Sequence, residues 1–371
     1  MELQTLNEGE DLPLGQWDWY KYIRLSGLVN VDASHWSKPY FGQGTYDNSA
    51  SSYITLSTAN LNVDAAFGDW VSAHVGFLYM NGSSPSVVNF NSKQRYNRSV
   101  NVEDAYGTIA NFSKTPFYFR AGQQYVPFGR YHIYPITQSL TQILSKTNAP
   151  ALQAGFVTHT GFNGALFALS GESKAGSNST TINNYGLSLG YSNFNHAVGY
   201  DFGLSYLRNM ADIVAMEKIM SDNNGYTRSV GGLGFYGDLY AGPFGFGLRY
   251  VMATRRFSPV DYQYTDGSTL KGAKPSAGGV KADYNFKTFH HNSRVDIGYQ
   301  WSSQAHNTAT GVSPNSVTRL PKSRWLVGYG VNLVSHVALG LQYYQEQDYN
   351  KNHGGTNRKN NVVTARVSFM F

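Results

Sequence analysis

The chain has 371 residues, with 28 Tyr, 21 Phe, 39 Gly and no Cys, only 14% charged residues and a formal charge of +6. A mean hydropathy of -0.36 beside such heavy aromatic use is unlike a soluble enzyme of two or three domains, which would show helical periodicity somewhere. No stretch approaches the roughly eighteen consecutive apolar residues that a transmembrane helix requires, so a helical membrane protein is excluded and any membrane signal must lie in alternation.

Residues 1–21 lack a basic stretch followed by an apolar one and are not a signal peptide. They read as a periplasmic N-terminal segment, too short for the plug of an energised receptor, ahead of a barrel over 22–371. A leader is expected to have been removed. The absence of Cys decides little, since barrels need no disulfide staples. Sixteen segments then read as strands: 22–34, 53–67, 70–80, 101–112, 117–125, 153–160, 163–172, 183–191, 198–209, 228–240, 244–256, 278–289, 293–303, 324–333, 336–348 and 361–371. Each alternates apolar with polar or small residues. Phe244, Phe246, Leu248 and Tyr250 alternate with Gly245, Gly247 and Arg249, and Val295, Ile297, Tyr299 and Trp301 with Asp296, Gly298 and Gln300.

Alternation alone does not say whether the apolar face points inward or outward. The connections do. Tight turns near 68–69, 113–116, 161–162, 192–197, 241–243, 290–292 and 334–335 alternate with long polar loops near 35–52, 81–100, 126–152, 173–182, 210–227, 257–277, 304–323 and 349–360. Short turns on one side and long loops on the other are the layout of an outer-membrane barrel with both termini in the periplasm. Outward-phase aromatics near the strand ends, such as Phe67, Trp70 and Phe117 toward the turns and Tyr206, Tyr250 and Trp325 toward the loops, suit the two water interfaces. The expected fold is an all-β transmembrane antiparallel barrel of sixteen strands with an inward-folded third extracellular loop. A barrel of that size leaves an aqueous lumen, where eight strands would be filled by side chains. Small inward-phase residues (Gly186, Ser188, Gly190, Gly298, Ser302, Gly328, Gly330) point to an open lumen or, equally, to relief of wall curvature.

In strand 117–125, Arg120, Gly122 and Gln124 share the inward phase, and Pro127 and Gly129 then force the chain out of the ladder. Residues 135–146 suit a short helix within the third long loop. The expected pore constriction is therefore Arg120, Gln124, Arg130, Tyr131, His132 and Tyr134. Further basic residues expected to line the lumen are Arg24, Arg249, Arg255, Lys281, Lys287 and Arg366, balanced by acids that include Asp104, Asp32, Asp64, Asp238, Asp283, Asp296 and Glu346. Such a wall is no simple anion filter. The net positive charge then falls on loops and rims, at Lys93, Arg95, Arg98, Arg358 and Lys359, where it would meet lipopolysaccharide phosphates or attract anionic solutes.

No nucleotide-binding glycine loop, zinc spacing or nucleophile elbow occurs, so neither enzyme, cofactor, metal nor nucleic acid is expected. His290 and His291 sit in a short turn, and 211–220 (ADIVAMEKIM) reads as a small packing helix in a loop.

The segment Glu103 to Tyr131, EDAYGTIANFSKTPFYFRAGQQYVPFGRY, resembles the signature region of the LbtU-type siderophore porin family, the legiobactin-uptake outer-membrane porins and their Francisella-type relatives. The close resemblance covers about thirty residues and the rest follows only in strand layout. It implies a sixteen-stranded barrel preceded by a periplasmic coiled coil, and passive uptake of a ferric siderophore or other small anionic solute. A general diffusion porin and a non-transport barrel, adhesin or enzyme, are the alternatives.

The last segment places Val363, Ala365, Val367, Phe369 and Phe371 on one face and ends the chain on Phe371, which resembles the terminal signal read by the barrel assembly machinery. Deleting Phe371 should lower the yield of folded, heat-modifiable barrel. Undiminished yield would remove that role.

Overall fold

The computed structural model describes residues 23–38, 50–81, 98–130, 136–171, 173, 182–194, 197–217, 225–307 and 319–371. Its strands are β1 Ile23–Trp36, β2 Ser51–Phe67, β3 Val71–Asn81, β4 Arg98–Ala110, β5 Phe117–Tyr125, β6 Asn148–Val157, β7 Phe162–Leu169, β8 Asn184–Asn193, β9 Val198–Leu207, β10 Gly232–Ala241, β11 Phe244–Ala253, β12 Gln263–Asp266, β13 Thr269–Gly272, β14 Ser276–Thr288, β15 His291–Ser303, β16 Ser323–Val334, β17 Val337–Gln347 and β18 Lys359–Met370. All but β12 and β13 form one closed antiparallel barrel of sixteen strands in chain order, and those two make a separate hairpin.

Closure joins β1 to β18, from Leu28 opposite Met370 to Trp36 opposite Val362. Phe371 completes it: the Gly27 amide donates to the Phe371 carbonyl at 2.9 Å and the Phe371 amide to the Gly27 carbonyl at 3.1 Å. A Cβ on Gly27 would stand 2.4 Å from the Phe371 ring, so the terminal aromatic needs that glycine beneath it.

The two faces of the wall invert the soluble arrangement. Leu25, Phe119, Leu166, Leu204, Phe246, Ile297, Leu341 and Phe369 stand exposed on the outside, whereas the inward-phase Arg120, Gln124, Asp238, Arg249, Asp296, Gln300 and Arg324 are buried. Exposed apolar and buried polar side chains alternating along each strand are what a lipid-facing barrel requires.

Each of the sixteen predicted segments corresponds to a barrel strand, with shifts at the ends. The β6 strand starts at Asn148 rather than at 153, because Pro150 sits inside the wall with its carbonyl accepting from the Ser170 amide at 3.0 Å. Within the predicted loop 257–277 the chain turns at Gly267 (φ +62°) and Ser268 and forms the β12–β13 hairpin, a Gly-first two-residue turn signal that the polar composition masked. Of 135–146 only α1, Leu140–Ile143, is helical, capped by Ser139 accepting from the Gln142 amide at 3.1 Å. In 211–220, Ile213 and Met216 are fully buried, and Met220 lies outside the described residues.

Space above several small inward residues is occupied by rings. A Cβ on Gly186 would meet the Phe167 ring at 2.3 Å, one on Gly190 or Gly203 the Tyr236 hydroxyl at 2.6 Å, and one on Gly232 the Phe128 ring at 2.5 Å. Toward the long loops a continuous apolar core fills the barrel, with Phe128, Leu140 and Leu144 from the third loop against Leu207, Met210, Ile213, Val251 and Phe257. These glycines are sockets for rings, not openings.

Outside the membrane the long loops form a cap. The Gly267 amide donates to the Asn352 carbonyl at 2.8 Å, Tyr264 stacks on His353 at 5.4 Å, and Tyr349 hydroxyl and Ser302 lie 2.7 Å apart. Beneath them His306, 1% exposed, contacts the Gly354 carbonyl through Nε2 at 3.0 Å while Nδ1 faces Asp348 at 3.8 Å. Burial holds the His306 ring down to about 4, against an opposing pull from Asp348.

Two predictions follow from this layout. The chain has no native Cys, so Ser268→Cys between β12 and β13 should label on intact cells while Asp69→Cys in the β2–β3 turn should not. The reverse would invert the barrel. Because the folded His306 pKa lies below its unfolded value of about 6.5, its contribution to the cap is fully present above about pH 6.5 and is lost as pH falls toward about 4. Amide exchange over 348–358, corrected for intrinsic rate, should accelerate across that window and lose the dependence in His306→Gln. Constant protection would remove His306 from the cap's pH response.

Candidate functional site

Beyond β5 the chain turns into the barrel. The Gly129 amide (φ +76°) donates to Ser205 Oγ on β9 at 2.8 Å, and a Cβ there would strike Ser145 Oγ at 2.5 Å. Arg130 pairs with Asp201 on β9, which also accepts from Ser192 Oγ at 3.0 Å. The Arg130 guanidinium lies 4.8 Å from the Tyr236 ring, and Arg249 contacts the same ring at 5.5 Å. Further along, Ile136 lies by Gly340 on β17, the Gln138 carbonyl accepts from Arg324 on β16 at 2.8 Å, and the Leu140 amide donates to Gln300 on β15 at 2.7 Å. The Lys146 carbonyl accepts from the Val214 amide at 2.8 Å before β6 begins. Every one of these wall partners, from β9 round to β17, has the inward phase. The described residues of the third loop on either side of 131–135 therefore lie against the inner face of the wall.

Of the predicted constriction residues, Arg120 is 5% exposed, stands 4.4 Å from the Tyr106 ring and donates through Nε to Thr108 Oγ1 at 3.2 Å. Gln124 is buried and donates to the Ala151 carbonyl at 3.0 Å. Arg120 sits on the β4–β6 wall and Arg130 on the β9–β10 wall, each held by its own partners. Tyr131, His132 and Tyr134 lie outside the described residues.

Arg24 is exposed at the turn end of β1, opposite Asp64 in register, and Lys287 is exposed at the turn end of β14. Asp104 lies 3.3 Å from His74 Nε2. Arg249 grips Asp238 with two hydrogen bonds, 2.9 and 2.6 Å; Arg366 grips Asp32 at 2.7 and 2.8 Å; Lys281 lies 3.3 Å from Asp283. Arg255 follows the end of β11 and is exposed, with Nε donating to the Ser229 carbonyl at 3.0 Å.

Several contributors were not singled out from sequence: Tyr236, Asp201, His74, Arg294 and Arg324. Period-2 phase places all five inward, but phase cannot say which of many inward residues touch the loop. Arg324 pairs with Glu346 at 3.0 and 2.6 Å, and Arg294 with Asp283 at 3.2 Å. With most of these cations matched by a buried or half-buried carboxylate, the lumen carries no strong field of one sign.

No family model matches the chain. Among solved structures, the outer membrane channel DcaP of Acinetobacter baumannii superposes with a TM-score of 0.60 at 14% identity, over 95% of this chain and 97% of that one. An anion-selective porin from Comamonas acidovorans gives 0.58 at 11% identity over 95% and 100%, and OmpF of Salmonella typhi 0.58 at 10% over 96% and 99%. At such identities the likeness is one of fold, that of outer-membrane porins. In sequence, the chain is 24% identical over 343 residues to a UPF0422 protein of Legionella pneumophila (strain Lens), covering 88% of this chain but 59% of that relative's length. A UPF0422 protein of Coxiella burnetii (strain RSA 493 / Nine Mile phase I) is 32% identical over 345 residues, 88% of this chain and 69% of the relative. That identity runs along nearly the whole barrel, and the chain belongs to the UPF0422 family.

Proposed function

We propose that this barrel is a passive channel of the Gram-negative outer membrane, and that its characteristic solute is a compact anionic chelate, an iron-loaded polycarboxylate siderophore. The observation that carries the channel reading is the third loop, which lies along the inward faces from β9 to β17 and so narrows a sixteen-stranded lumen instead of covering its rim. The siderophore reading is supported by the resemblance of residues 103–131 and by Arg120, whose guanidinium is stacked on Tyr106. A second reading, general diffusion of small hydrophilic solutes, is favoured by the pairing of Arg249, Arg324 and Arg366 with carboxylates, which leaves little unbalanced positive charge to select an anion. Exposed Arg358 and Lys359 at the loop end of β18 would meet lipopolysaccharide phosphates.

Planar bilayers separate these readings. The purified barrel should give discrete, small conductance steps, because the loop-side half of the lumen is packed. Ferric polycarboxylate siderophore should block them saturably and the iron-free ligand more weakly. Conductance without saturable block would leave the general channel standing, and no conductance would overturn both. Arg120→Glu reverses a charge beside the lumen; an unscreened pair ~4 Å apart is worth ~1 kcal/mol in water, or roughly fivefold in occupancy. The variant should fold normally and lower relative anion permeability by about that factor. Unchanged ion selectivity would remove Arg120 from the solute path.

A further inference from the structure

The walls of β2, β3 and β4 carry an inward group of titratable side chains. His74 Nδ1 lies 2.6 Å from Asp64 Oδ1, and its Nε2 lies 3.3 Å from Asp104 Oδ1. Asp64 stands opposite His74 in register. Asp104 stands opposite Gly76, where a Cβ would be 2.1 Å from Asp104 Oδ1, so the missing side chain is what lets the carboxylate lie against the ring. The imidazole also stacks on Tyr106 at 4.9 Å with a 23° tilt.

Two features distinguish this group from the buried Arg249–Asp238 pair on the same inner wall. The first is access: the side chains of Asp64, His74 and Asp104 are 29, 17 and 20% exposed, whereas Arg249 and Asp238 are each 5% exposed. The triad is therefore more accessible to water than that packed pair. The second is geometry, since a neutral imidazole has one N–H and one lone pair. With a carboxylate oxygen at each ring nitrogen, a neutral ring would set a lone pair against one of them. Only the imidazolium donates to both.

The charged and titratable groups around the ring are Arg24 from β1, opposite Asp64 in register, Asp64 from β2, Asp104 and Tyr106 from β4, and Arg120 from β5, over the Tyr106 ring. Protonated, the Asp64–His74–Asp104 triad carries a net charge of −1. Without the ring proton it carries −2.

We propose that His74, clamped between Asp64 and Asp104, is a specificity-determining residue of the pore whose proton sets the balance between cation and anion passage. The inference rests on the channel reading above. Loss of the proton adds one negative charge to the accessible wall and turns the lumen toward cations; its retention keeps the carboxylates from acting as a cation trap.

The test uses the whole barrel with potassium chloride as the probe. Reversal potentials under a salt gradient, taken from about pH 5 to about pH 10, should show wild-type cation preference rising with pH by roughly fivefold, the weight of one unit charge at close range. In His74→Asn the preference should be high and flat across this step. In His74→Lys it should stay flat at the wild-type acid value. A flat wild-type profile, or a His74→Asn profile that titrates like the wild type, overturns the proposal while leaving the channel intact. Should the barrel not conduct, the channel reading fails by itself, and the clamp is judged by nitrogen-15 spectra of histidine-labelled barrel in detergent at neutral pH. Both His74 ring nitrogens protonated is the expected result, and a single neutral tautomer overturns the clamp.

Discussion

Hydrocarbon offers no hydrogen-bond partner, so a sheet that crosses a membrane has to close on itself. Every other feature of this chain depends on the seam between β1 and β18, where nine residue pairs from Leu28–Met370 to Trp36–Val362 and the Gly27–Phe371 bonds remove the last free edge. Closure in chain order fixes which connections lie on which side. It also sets every odd or even phase to one face, so a single-residue slip would turn Asp32, Arg120 and Arg249 toward lipid.

A closed wall of this size is wider than its own side chains can fill, and the space is taken up unequally. On the side of β6 to β17 the third loop and the bases of the other loops enter the barrel and meet glycines that leave room for rings. Tyr236 lies across Gly190 and Gly203, and Phe128 fits Gly232. Burying Phe128, Leu140 and Leu144 contributes about 1.5–3 kcal/mol each before the ordering entropy of the loop is subtracted. Hydrogen bonds to Gln300, Arg324 and Ser205 then choose one path among those that would satisfy the apolar contacts alone. On β2 to β4, Asp64, His74 and Asp104 keep more exposure.

Charge follows the same division. Where the lumen is filled, Arg249–Asp238 and Arg324–Glu346 are buried pairs whose desolvation consumes most of their attraction, so their value lies in holding geometry. Asp64, His74 and Asp104 are more accessible. Tyr106 touches both Arg120 and His74, since its ring carries one on each contact.

Much of this was legible in the sequence, because lipid imposes a local rule. Period-2 alternation is a property of one strand and its immediate neighbours, so the sixteen strands, their phases, the short and long connections and the inward placement of Arg120, Gln124, Arg249, Lys281 and Arg366 follow from residues read in order. What the third loop touches is of another kind. Arg130 meets Asp201 and Tyr236, and Leu140 meets Gln300 on β15, across separations of 71, 106 and 160 residues that no period encodes. Glycine showed the limit most clearly, since Gly190 looks in sequence like empty lumen and is in fact part of the floor for Tyr236, two strands away. Phase assigned each side chain to the inner face; only the closed barrel, by bringing distant strands around one axis, decided which inner residues meet one another and which still face water.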